Sequence, residues 1–558
     1  MSLSRVGFVA FAVLVVGVPA IAASGVASAD TQRRANGVAS TPPANDTTPL
    51  DVVGVYPDPV VDEDVGEFVI LDVAAPTRLG GYTLSDGEDR VELPNRTVEG
   101  RVALTVTPNL TRNRTEATVV ALSQGIALAN DGDHVTLAHN GEPVARANYT
   151  DATEGEIATR ESDRDEDGLA WRPVGATDFP VVAAAGESAR AFVLPSGASV
   201  PVETLADAET RILLAGYTLT SERVARELVA AGRRGVEVRV LVDGSPVGGL
   251  SRRSARRLDT LTERGVEVTV LSAEPARYEF HHAKYAVVDD RALVTTENWK
   301  PAGTGGHASR GWGVVVSADR VVHGLARTFQ ADTSGLDARA WSRYRAGKRF
   351  EPADGQPANG TFPEAVHPQQ FSPDAVELLR APDNAERRLL ELLRNADEAI
   401  RIEQVAIGSR RQPFLRATLA AARRGVEVQI LLSGAWYVEE ANRRLVRRLN
   451  KRADREAIPL SARVADPNGR FEKIHAKGVI VDDDQVLVGS LNWNNNSARE
   501  NREVAVLMEG EGVASYFTAV FRADWQGGDW PVPAGVVLAV ALSWFVAVLT
   551  ARRIEFER

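Results

Sequence analysis

The sequence predicts a multidomain chain in which an all-β sandwich domain precedes two repeated α/β lobes and a C-terminal transmembrane helix. Three observations lead to this prediction. Short alternating strands fill the first third of the chain, one β-α-β pattern then occurs twice, and an uncharged apolar segment lies near the end. At 558 residues the chain is also too long for a single hydrophobic core.

The composition is that of a globular protein, with 44% hydrophobic and 25% charged residues. A formal net charge of -11 argues against a broad electropositive surface for nucleic acid, although it leaves room for a local basic cleft. Only six of the 64 basic residues are lysines, and this acidic, arginine-rich composition suits a high-salt environment. The chain has no cysteine, which excludes disulfides and thiolate metal sites.

The N-terminal residues are typical of an exported protein. An apolar run follows Arg5 and ends at a small-residue cleavage pattern, so we interpret residues 1–29 as a cleaved signal peptide. An uncleaved anchor is the alternative. Residues 30–50 are rich in Ala, Thr, Pro and Asn and are predicted to form a flexible spacer.

The C-terminal residues predict a membrane anchor. Residues 531–550 carry no charge and are long enough to cross a bilayer as a helix, with a buried core helix as the alternative. Because Arg552 and Arg553 follow directly, residues 551–558 are predicted to form a cytoplasmic tail. The chain is therefore expected to be a single-pass cell-membrane protein with an extracellular ectodomain.

Residues 51–181 form the predicted β-domain. Alternating runs such as GEFVILDVA are punctuated by Gly, Pro, Asn and Asp at the spacing of a β-sandwich. The order of its sequence segments resembles that of the lamin tail domain, an immunoglobulin-like sandwich. The matching segments run from VYP at residues 55–57 through GYTLSDG at residues 81–87 to Trp171. This resemblance implies a surface or adaptor module without catalysis of its own.

An acidic DxDxDG motif at residues 163–168 opens like a calcium-binding loop. The twelfth position of such a loop is Val174, where calcium needs an acidic ligand. A solvated acidic loop is therefore preferred over a calcium site.

Two copies of a β-α-β pattern predict two lobes built on parallel strands. Residues 211–244 and 399–434 each hold a strand, an amphipathic helix ending at an arginine pair and a glycine, and a second strand. We place the lobes at residues 191–345 and 369–530, with a Pro- and Gly-bearing linker at residues 346–368.

Each lobe carries a predicted β-hairpin whose polar residues cluster at one site. In lobe two, His475 and Lys477 are two positions apart, so their side chains leave the same face of an extended chain. Imidazole, ammonium, hydroxyl and amide groups in one place suit the handling of a phosphate. The remaining residues of the lobe-two motif are Asp482, Gly489, Ser490 and Asn492, and lobe one carries His282, Lys284, Asp289, Thr296 and Asn298.

The pattern HxKxxxxD followed by Gly-Ser-x-Asn, with Glu503 in a trailing N-x-E, resembles the phospholipase D superfamily. The resemblance implies that two motifs meet in one active site and that no metal or other cofactor is required. One histidine attacks phosphorus to give a phosphohistidine and the other protonates the leaving oxygen, but the sequence does not assign the two roles. The implied catalytic residues are His282, Lys284, His475, Lys477, Asn298, Ser490, Asn492 and Glu503, supported by Asp289, Asp482, Thr296 and Gly489.

Residue chemistry suggests a role for each group. The lysines, the two amides and Ser490 can donate to the non-bridging oxygens as charge grows, and Glu503 can hold an imidazole in one tautomer. Asp289 and Asp482 lie seven positions past their histidines, an odd offset, so we interpret them as structural. The additional His281 leaves the opposite face to His282 and is also interpreted as structural.

Lobe one departs from the motif. It has Thr295 and Thr296 where lobe two has Gly489 and Ser490, and Gly313 aligns with Glu503. On this alignment lobe one offers no carboxylate to orient a histidine, and the site is expected to be asymmetric.

Three functions agree with these features. The first is an extracellular, membrane-tethered phosphodiesterase that hydrolyses DNA or RNA. The second is a phospholipase D or phosphatidyltransferase that acts on lipid headgroups. The third is a non-enzymatic surface adhesion protein with a decayed site, supported only by Thr295 and Gly313. The sequence predicts neither the oligomeric state nor the acceptor.

Overall fold

The structure, a computed structural model, describes residues 50–527 apart from short gaps. The predicted signal peptide, transmembrane helix and cytoplasmic tail, all of the spacer before Leu50, and the DxDxDG motif lie outside the described residues. Among the helices that are described, none combines the length and the apolar character needed to cross a bilayer. The gaps are residues 60–64, 113, 116, 161–168, 186–187, 273–275, 336 and 353–354.

The N-terminal region is rich in β-strands, as its alternating pattern predicts. Its described elements are β1 (Leu50–Tyr56), β2 (Phe68–Arg78), β3 (Tyr82–Ser85), β4 (Arg90–Glu92), β5 (Thr97–Thr105), α1 (Pro108–Thr111), β6 (Thr118–Ala121), β7 (Gly132–His139), β8 (Glu142–Thr150), β9 (Glu156–Thr159) and β10 (Ala170–Pro173). They form a six-stranded sheet, β10-β9-β1-β2-β5-β6, and a four-stranded sheet, β4-β3-β7-β8.

The two sheets share one hydrophobic core. Val52 and Leu71 of the first sheet and Leu84 and Val135 of the second belong to the same buried cluster. The outer face of the six-stranded sheet carries a second, smaller cluster that includes Ile70. This outer face is turned toward lobe one, where it lines a cleft discussed below.

Lobe one is built on a mixed sheet in the order β19-β15-β14-β13-β16-β17-β18-β12-β20. The chain reaches it after β11 (Val182–Ala185). Its elements are β12 (Ala189–Leu194), α2 (Val200–Ala206), β13 (Arg211–Gly216), α3 (Glu222–Arg233), β14 (Glu237–Asp243), α4 (Arg252–Glu263), β15 (Glu267–Leu271), β16 (Tyr285–Val288), β17 (Arg291–Thr295), β18 (Ser309–Val316), α5 (Asp319–Ser334), β19 (Ala338–Ala340), α6 (Trp341–Arg345) and β20 (Gln369–Phe371).

Lobe two repeats this plan in the order β11-β21-β28-β27-β26-β22-β23-β24. Its elements are β21 (Ala375–Ala381), α7 (Ala385–Arg394), β22 (Ala399–Gln404), α8 (Pro413–Arg424), β23 (Glu427–Leu432), α9 (Glu439–Glu456), β24 (Leu460–Val464), β25 (Lys473–Ile474), β26 (Gly478–Val481), β27 (Gln485–Gly489), α10 (Asn495–Arg499), β28 (Glu503–Glu509) and α11 (Glu511–Gln526).

The repeated helices α3 and α8 show why the sequence folds this way. The Ser221 side chain accepts from the Val224 amide at the start of α3, and Gln412 does the same for Leu415 at the start of α8. After α8, Gly425 adopts a φ of 104°, a left-handed conformation that favours glycine. The predicted β-α-β units are therefore present, with β13 parallel to β14 and β22 parallel to β23.

The two lobes share one apolar core. Trp312 of lobe one packs against Phe517 of lobe two, with 4.7 Å between the ring centroids. A Cβ at Gly478 would lie 2.1 Å from the Trp312 ring, so glycine is required for this approach. The interface therefore fixes the two hairpins against each other.

Short strands also cross between the lobes. β11, which precedes lobe one in the chain, pairs with β21 of lobe two, and β20 pairs with β12 of lobe one although residues 369–371 fall within the predicted lobe two. β25 of lobe two pairs with β18 of lobe one. The lobes are thus tied together by backbone hydrogen bonds as well as by packing.

Candidate active site

The two hairpins are present and place both motifs at the interface between the lobes. β16 pairs with β17 and β26 pairs with β27, both antiparallel. His282 and His475 lie just before the first strand of each hairpin, in segments without regular secondary structure, and not within the strands as predicted.

Each histidine is held by the backbone of the other lobe. The His282 amide donates to the Arg502 carbonyl, and the His475 amide donates to the Arg310 carbonyl, both at 2.9 Å. The charge of each motif lysine also acts on the histidine of the opposite lobe. The four residues of the two HxK motifs therefore form one site.

Glu503 orients the histidine of the opposite lobe. Its two oxygens lie 2.9 and 3.0 Å from Nδ1 of His282. Asn501 donates to the same carboxylate at 3.1 Å, and Glu503 is buried. An Nδ1–H bond to this carboxylate leaves Nε2 of His282 as the nitrogen available for phosphorus.

His475 has a carboxylate partner too, which corrects the expectation that lobe one supplies none. The Oε2 atom of Glu297 lies 3.2 Å from Nδ1 of His475. Glu297 is buried and lies two residues after the end of β17, directly after Thr295 and Thr296. The site is therefore symmetric in its carboxylates: each lobe orients the histidine of the other.

The pairing of the strands explains why the alignment missed Glu297. Since Thr295 pairs with Gly313, Gly311 lies opposite Glu297, and the equivalent pair in lobe two is Glu503 opposite Leu491. The counterpart of Glu503 is thus Gly311, not Gly313. A Cβ at Gly311 would lie 2.4 Å from Cγ of Glu297, so the glutamate fills the space beside that glycine.

The motif lysines are buried under the histidines. Lys477 donates to the His475 carbonyl at 2.8 Å and lies 3.3 Å from its Nδ1, and Lys284 donates to the His282 carbonyl. Burial lowers the pKa of Lys477 to about 8, against the opposing effect of Glu297 and Glu503. Burial lowers the pKa of Lys284 well below its usual value.

Burial dominates the histidines as well. It lowers the pKa of His282 to about 4, although Glu503 acts in the opposite direction. It lowers the pKa of His475 to about 4, with Lys477 adding to the effect and Glu297 opposing it. Both imidazoles are therefore neutral at pH 7 in the free protein, as a nucleophile requires.

The hydroxyl groups serve the backbone in the free protein. Oγ of Ser490 accepts from the Val504 amide at 3.0 Å, and Oγ1 of Thr296 accepts from the Trp312 amide at 3.0 Å. Ser490 also contacts Glu503 and helps to lower its pKa. Ser490 and Thr296 are fully buried, and Gly489 lies at the end of β27 where a Cβ would meet the Val504 carbonyl at 2.3 Å.

The two amides lie after the second strand of each hairpin. Oδ1 of Asn298 is buried without a hydrogen-bond partner among the described residues, whereas the Asn492 carbonyl accepts from Asn494 at 3.0 Å. Both side chains are partly exposed, in contrast to the buried lysines.

Asp289 and Asp482 hold the turns of the two hairpins and do not reach the histidines. Both have a positive φ of 54°. Asp289 accepts from the amides of residues 209–211, and Asp482 from those of residues 397–399. These bonds join each hairpin to the strand beside it, and they lower the pKa of Asp289 to about 2 against burial, which acts to raise it.

His281 belongs to a buried network beneath the site. Its Nε2 atom lies 3.1 Å from Asp332, and its amide donates to Asp243 at 2.6 Å. Asp332 also accepts from Arg502 at 3.2 Å. On the other side of the interface, Arg310 donates to Asp524 at 3.2 Å.

Two loops that the motif does not include form the rim of the site. Tyr217 packs edge-on against His282, with 4.8 Å between ring centroids, and accepts from the Val247 amide at 2.5 Å. On the lobe-two side, Lys473 lies 5.4 Å above the Tyr437 ring, and the neighbouring Trp436 is 88% exposed. The loops that carry Val247 and Trp436 follow β14 and β23, the equivalent second strands of the two β-α-β units. This repeated position was the signal in the sequence that could have identified them.

The described part of the chain contains no cluster of His, Cys, Asp or Glu with the arrangement of a metal site.

A comparison with protein-family models matches both lobes. A family model described as "Cardiolipin synthase, PLD-like domain" matches residues 202–333 and 389–525, one match in each lobe. Among curated proteins, none matches the sequence significantly.

Solved structures with a similar arrangement have low sequence identity. The phosphatidylserine synthase of Haemophilus influenzae is 12% identical with a TM-score of 0.45, over 61% of this chain and 84% of that chain. The polyphosphate kinase of Porphyromonas gingivalis is 13% identical with a TM-score of 0.40, over 60% of this chain and 50% of that chain. Nuc of Salmonella typhimurium, a phospholipase D family member, is 21% identical with a TM-score of 0.25, over 28% of this chain and 98% of that chain.

One family match in each lobe and two HxK motifs that converge at the lobe interface give the same assignment. The two lobes of this chain are therefore phospholipase D-like domains.

Proposed function

We propose that the two lobes form a single phosphodiesterase site that hydrolyses DNA or RNA through a phosphohistidine intermediate. The observation that carries the proposal is the paired arrangement of the imidazoles. Each has a carboxylate from the opposite lobe on Nδ1 and a buried lysine from its own motif.

The reaction follows from this arrangement. Nε2 of one neutral histidine attacks phosphorus, and the bond from phosphorus to the leaving oxygen breaks while the second histidine donates a proton to that oxygen. Water, deprotonated by the second histidine, then attacks phosphorus and releases the first. The anionic diester favours the protonated form of the second imidazole, which the free site disfavours.

The remaining residues stabilise charge. Lys284 and Lys477 are buried beside the histidines, whose carbonyls they contact, and can neutralise the non-bridging oxygens. Asn298, whose Oδ1 has no partner in the described chain, and Asn492 are the amides that can donate to the same oxygens. Ser490 and Thr296 support the site by holding Glu503 and the adjoining strands.

The proposed location is outside the cell on a C-terminal tether, as the apolar segments at residues 1–29 and 531–550 suggest. At that location the phosphodiester substrates within reach are extracellular nucleic acids and the phospholipids of the membrane. Transfer to an alcohol instead of water uses the same intermediate.

A phospholipase or phosphatidyltransferase is the second candidate, because the rim of the site is apolar. Val247 is 80% exposed and Trp436 is 88% exposed, on equivalent loops of the two lobes. Such residues can enter a lipid interface, although Trp436 can equally stack on a base. An adhesion protein with a decayed site is less well supported, because Glu297 supplies the carboxylate that lobe one was expected to lack.

We expect the full-length protein, in high salt and a chelator, to cleave single-stranded DNA or RNA faster than phospholipid vesicles. Single-stranded DNA, duplex DNA, RNA and vesicles are offered in parallel, and product formation is measured against a chromogenic phosphodiester. Cleavage of phospholipid alone would exclude the preferred substrate class. Failure to cleave any phosphodiester would exclude the proposed reaction.

The rate should depend on pH with two limbs. kcat/KM for the chromogenic diester should rise through about pH 4, where the attacking imidazole loses its proton, because the pKa of both histidines is about 4. It should fall again at or below about pH 8, where Lys477 loses its charge.

The lysine responsible for the alkaline limb can be identified by substitution. Arginine stays charged, so Lys477→Arg or Lys284→Arg should move that limb to higher pH in whichever variant replaces the titrating group. A kcat/KM that stays level from pH 7 to pH 10 would contradict the role given to the lysines.

A further inference from the structure

A large cleft lies between the N-terminal β-region and lobe one. Its volume is about 1310 Å³. The floor is apolar and includes Ile70, Val119 and Ile157 from the outer face of the six-stranded sheet. Arginines line it from both sides: Arg101, Arg112, Arg114, Arg172 and Arg277.

This arginine cleft is unusual in a chain with a net charge of -11. Its five arginines face three lining carboxylates, those of Glu99, Asp178 and Asp337. Arg172 and Arg277 are paired with Asp178 and Asp337. Arg101 and Arg112 are exposed, and no carboxylate of the described chain pairs with either. Among the residues that the structure describes, Arg101 and Arg112 therefore give the cleft positive charge without a paired carboxylate.

The arginine cleft continues toward the catalytic histidines. A second cavity of about 530 Å³ shares Arg114, Ala276 and Asp337 with it. The other end of this second cavity is lined by Val247 and by Phe280 and His281, immediately before His282. Tyr217 packs against both Phe280 and His282, which places that end beside the site.

Specific contacts fix the β-region over this path. Arg114 bridges Glu279 of lobe one and Glu500 of lobe two, at 3.1 and 3.2 Å. Elsewhere Arg499 of lobe two donates to the Glu154 carbonyl at 2.7 Å. The cleft is thus part of the folded unit, and the second cavity extends from it to the residues next to His282.

We propose that the arginine cleft binds the strand of a single-stranded nucleic acid that extends beyond the scissile phosphodiester. This inference rests on the proposed function, which it deepens by giving the β-region a substrate-binding role. Arg101 and Arg112, which have no carboxylate partner among the described residues, would contact phosphates, and the apolar floor would accept the bases. A neutral ligand would leave these two arginines without a partner.

The path sets a length for the substrate. Residues 276–282 span at most about 20 Å, the length of about six stacked nucleotides at 3.4 Å each. A dinucleotide therefore reaches only the histidines, whereas a 20-nucleotide strand also occupies the arginine cleft.

The test uses Arg101→Glu together with Arg112→Glu in the full-length protein. We expect the KM for a 20-nucleotide single strand to rise at least tenfold, while kcat/KM for a small chromogenic diester stays within twofold. For two lost phosphate contacts, the slope of log KM against log salt should fall by about 1.4. The matched control, Arg447→Glu with Arg448→Glu on exposed positions of α9, changes the same charge and should leave both substrates unaffected.

The outcomes separate this inference from the proposed function. If the unmodified protein hydrolyses neither the chromogenic diester nor any oligonucleotide, the proposed function fails. If it hydrolyses the diester, but the KM for the 20-nucleotide strand is the same in the cleft variant and the control, the inference is overturned. It is overturned equally if the unmodified protein does not bind a labelled strand, measured by fluorescence anisotropy, or if vesicle cleavage alone falls in the cleft variant.

Discussion

His282→Asn and His475→Asn should each lower kcat for a nucleic acid substrate by at least about 10³-fold. Asparagine keeps a polar side chain of similar reach but can neither attack phosphorus nor exchange a proton near neutral pH. Each histidine has its own carboxylate partner and its own buried lysine, so neither can replace the other. The measurement is single-turnover cleavage of a labelled strand.

The leaving group separates the two roles. A nitrophenolate needs no protonation, so the variant of the acid should retain activity on a nitrophenyl diester while losing it on a nucleotide substrate. The variant of the nucleophile should lose both. His323→Asn is the control, because this exposed histidine bonds only within α5, and it should cleave at the normal rate. Full activity in either site variant on both substrates would exclude the mechanism.

The same assay tests the carboxylates. Glu297→Gln and Glu503→Gln should each reduce kcat by about 10²-fold or more, because glutamine keeps the size of the side chain but not its charge. The change beside the attacking histidine should also move the acid limb of the pH profile for the chromogenic diester to lower pH, because each carboxylate raises the pKa of its histidine. An acid limb that stays in place in both variants would contradict the role given to the two carboxylates.

The repeat made most of the fold predictable, because each β-α-β unit has its own periodic pattern of apolar residues and its own residues that begin and end the helix. The positions of β11 and β20 could not be predicted in this way. Each is a strand of three or four residues whose partner lies in the sheet of a sequentially distant lobe, with the choice fixed by packing at the interface. The segments beyond residues 50–527 remain predictions from composition.

The site residues were predictable where the two motifs match residue by residue. The prediction failed where the two lobes carry equivalent residues on different strands. Glu297 and Gly311 face each other in lobe one, as Leu491 and Glu503 do in lobe two. The carboxylate keeps its position in the site but is carried by a different strand, so a linear alignment finds no glutamate at the matching position of lobe one. An alignment that places Arg310-Gly311 opposite Arg502-Glu503 and compares both strands of each hairpin pair identifies Glu297 as the carboxylate of lobe one.

A second symmetry of the interface lies in its buried ion pairs. Arg502 of lobe two donates to Asp332 of lobe one, and Arg310 of lobe one donates to Asp524 of lobe two. The two aspartates end the FQAD and FRAD segments of helices α5 and α11. The carbonyl of each arginine also accepts a hydrogen bond from the amide of a motif histidine, so the ion pairs link the association of the lobes to the geometry of the site.

Arg502→Met should lower the free energy of unfolding by about 3–5 kcal/mol, because it leaves buried carboxylates without their partner. Arg502 is fully buried and also donates to Asp383 at 3.0 Å. Unfolding by denaturant, at a salt concentration where the protein is stable, measures the loss. The exposed pair of Arg443 and Glu439 is the control, and Arg443→Met should cost less than about 1 kcal/mol.

The pH dependence of this loss identifies its cause. Arg502 and His281 hold the pKa of Asp332 well below its usual value despite burial, so the stability that the charged carboxylate contributes is present above about pH 4, the pKa of an unfolded aspartate. It is lost as the pH falls further, and the difference between the native protein and Arg502→Met should narrow there. A difference that stays constant down to pH 3 would mean that the methionine acts through packing alone, and the ion pairs would then be incidental to how the two lobes hold the histidines together.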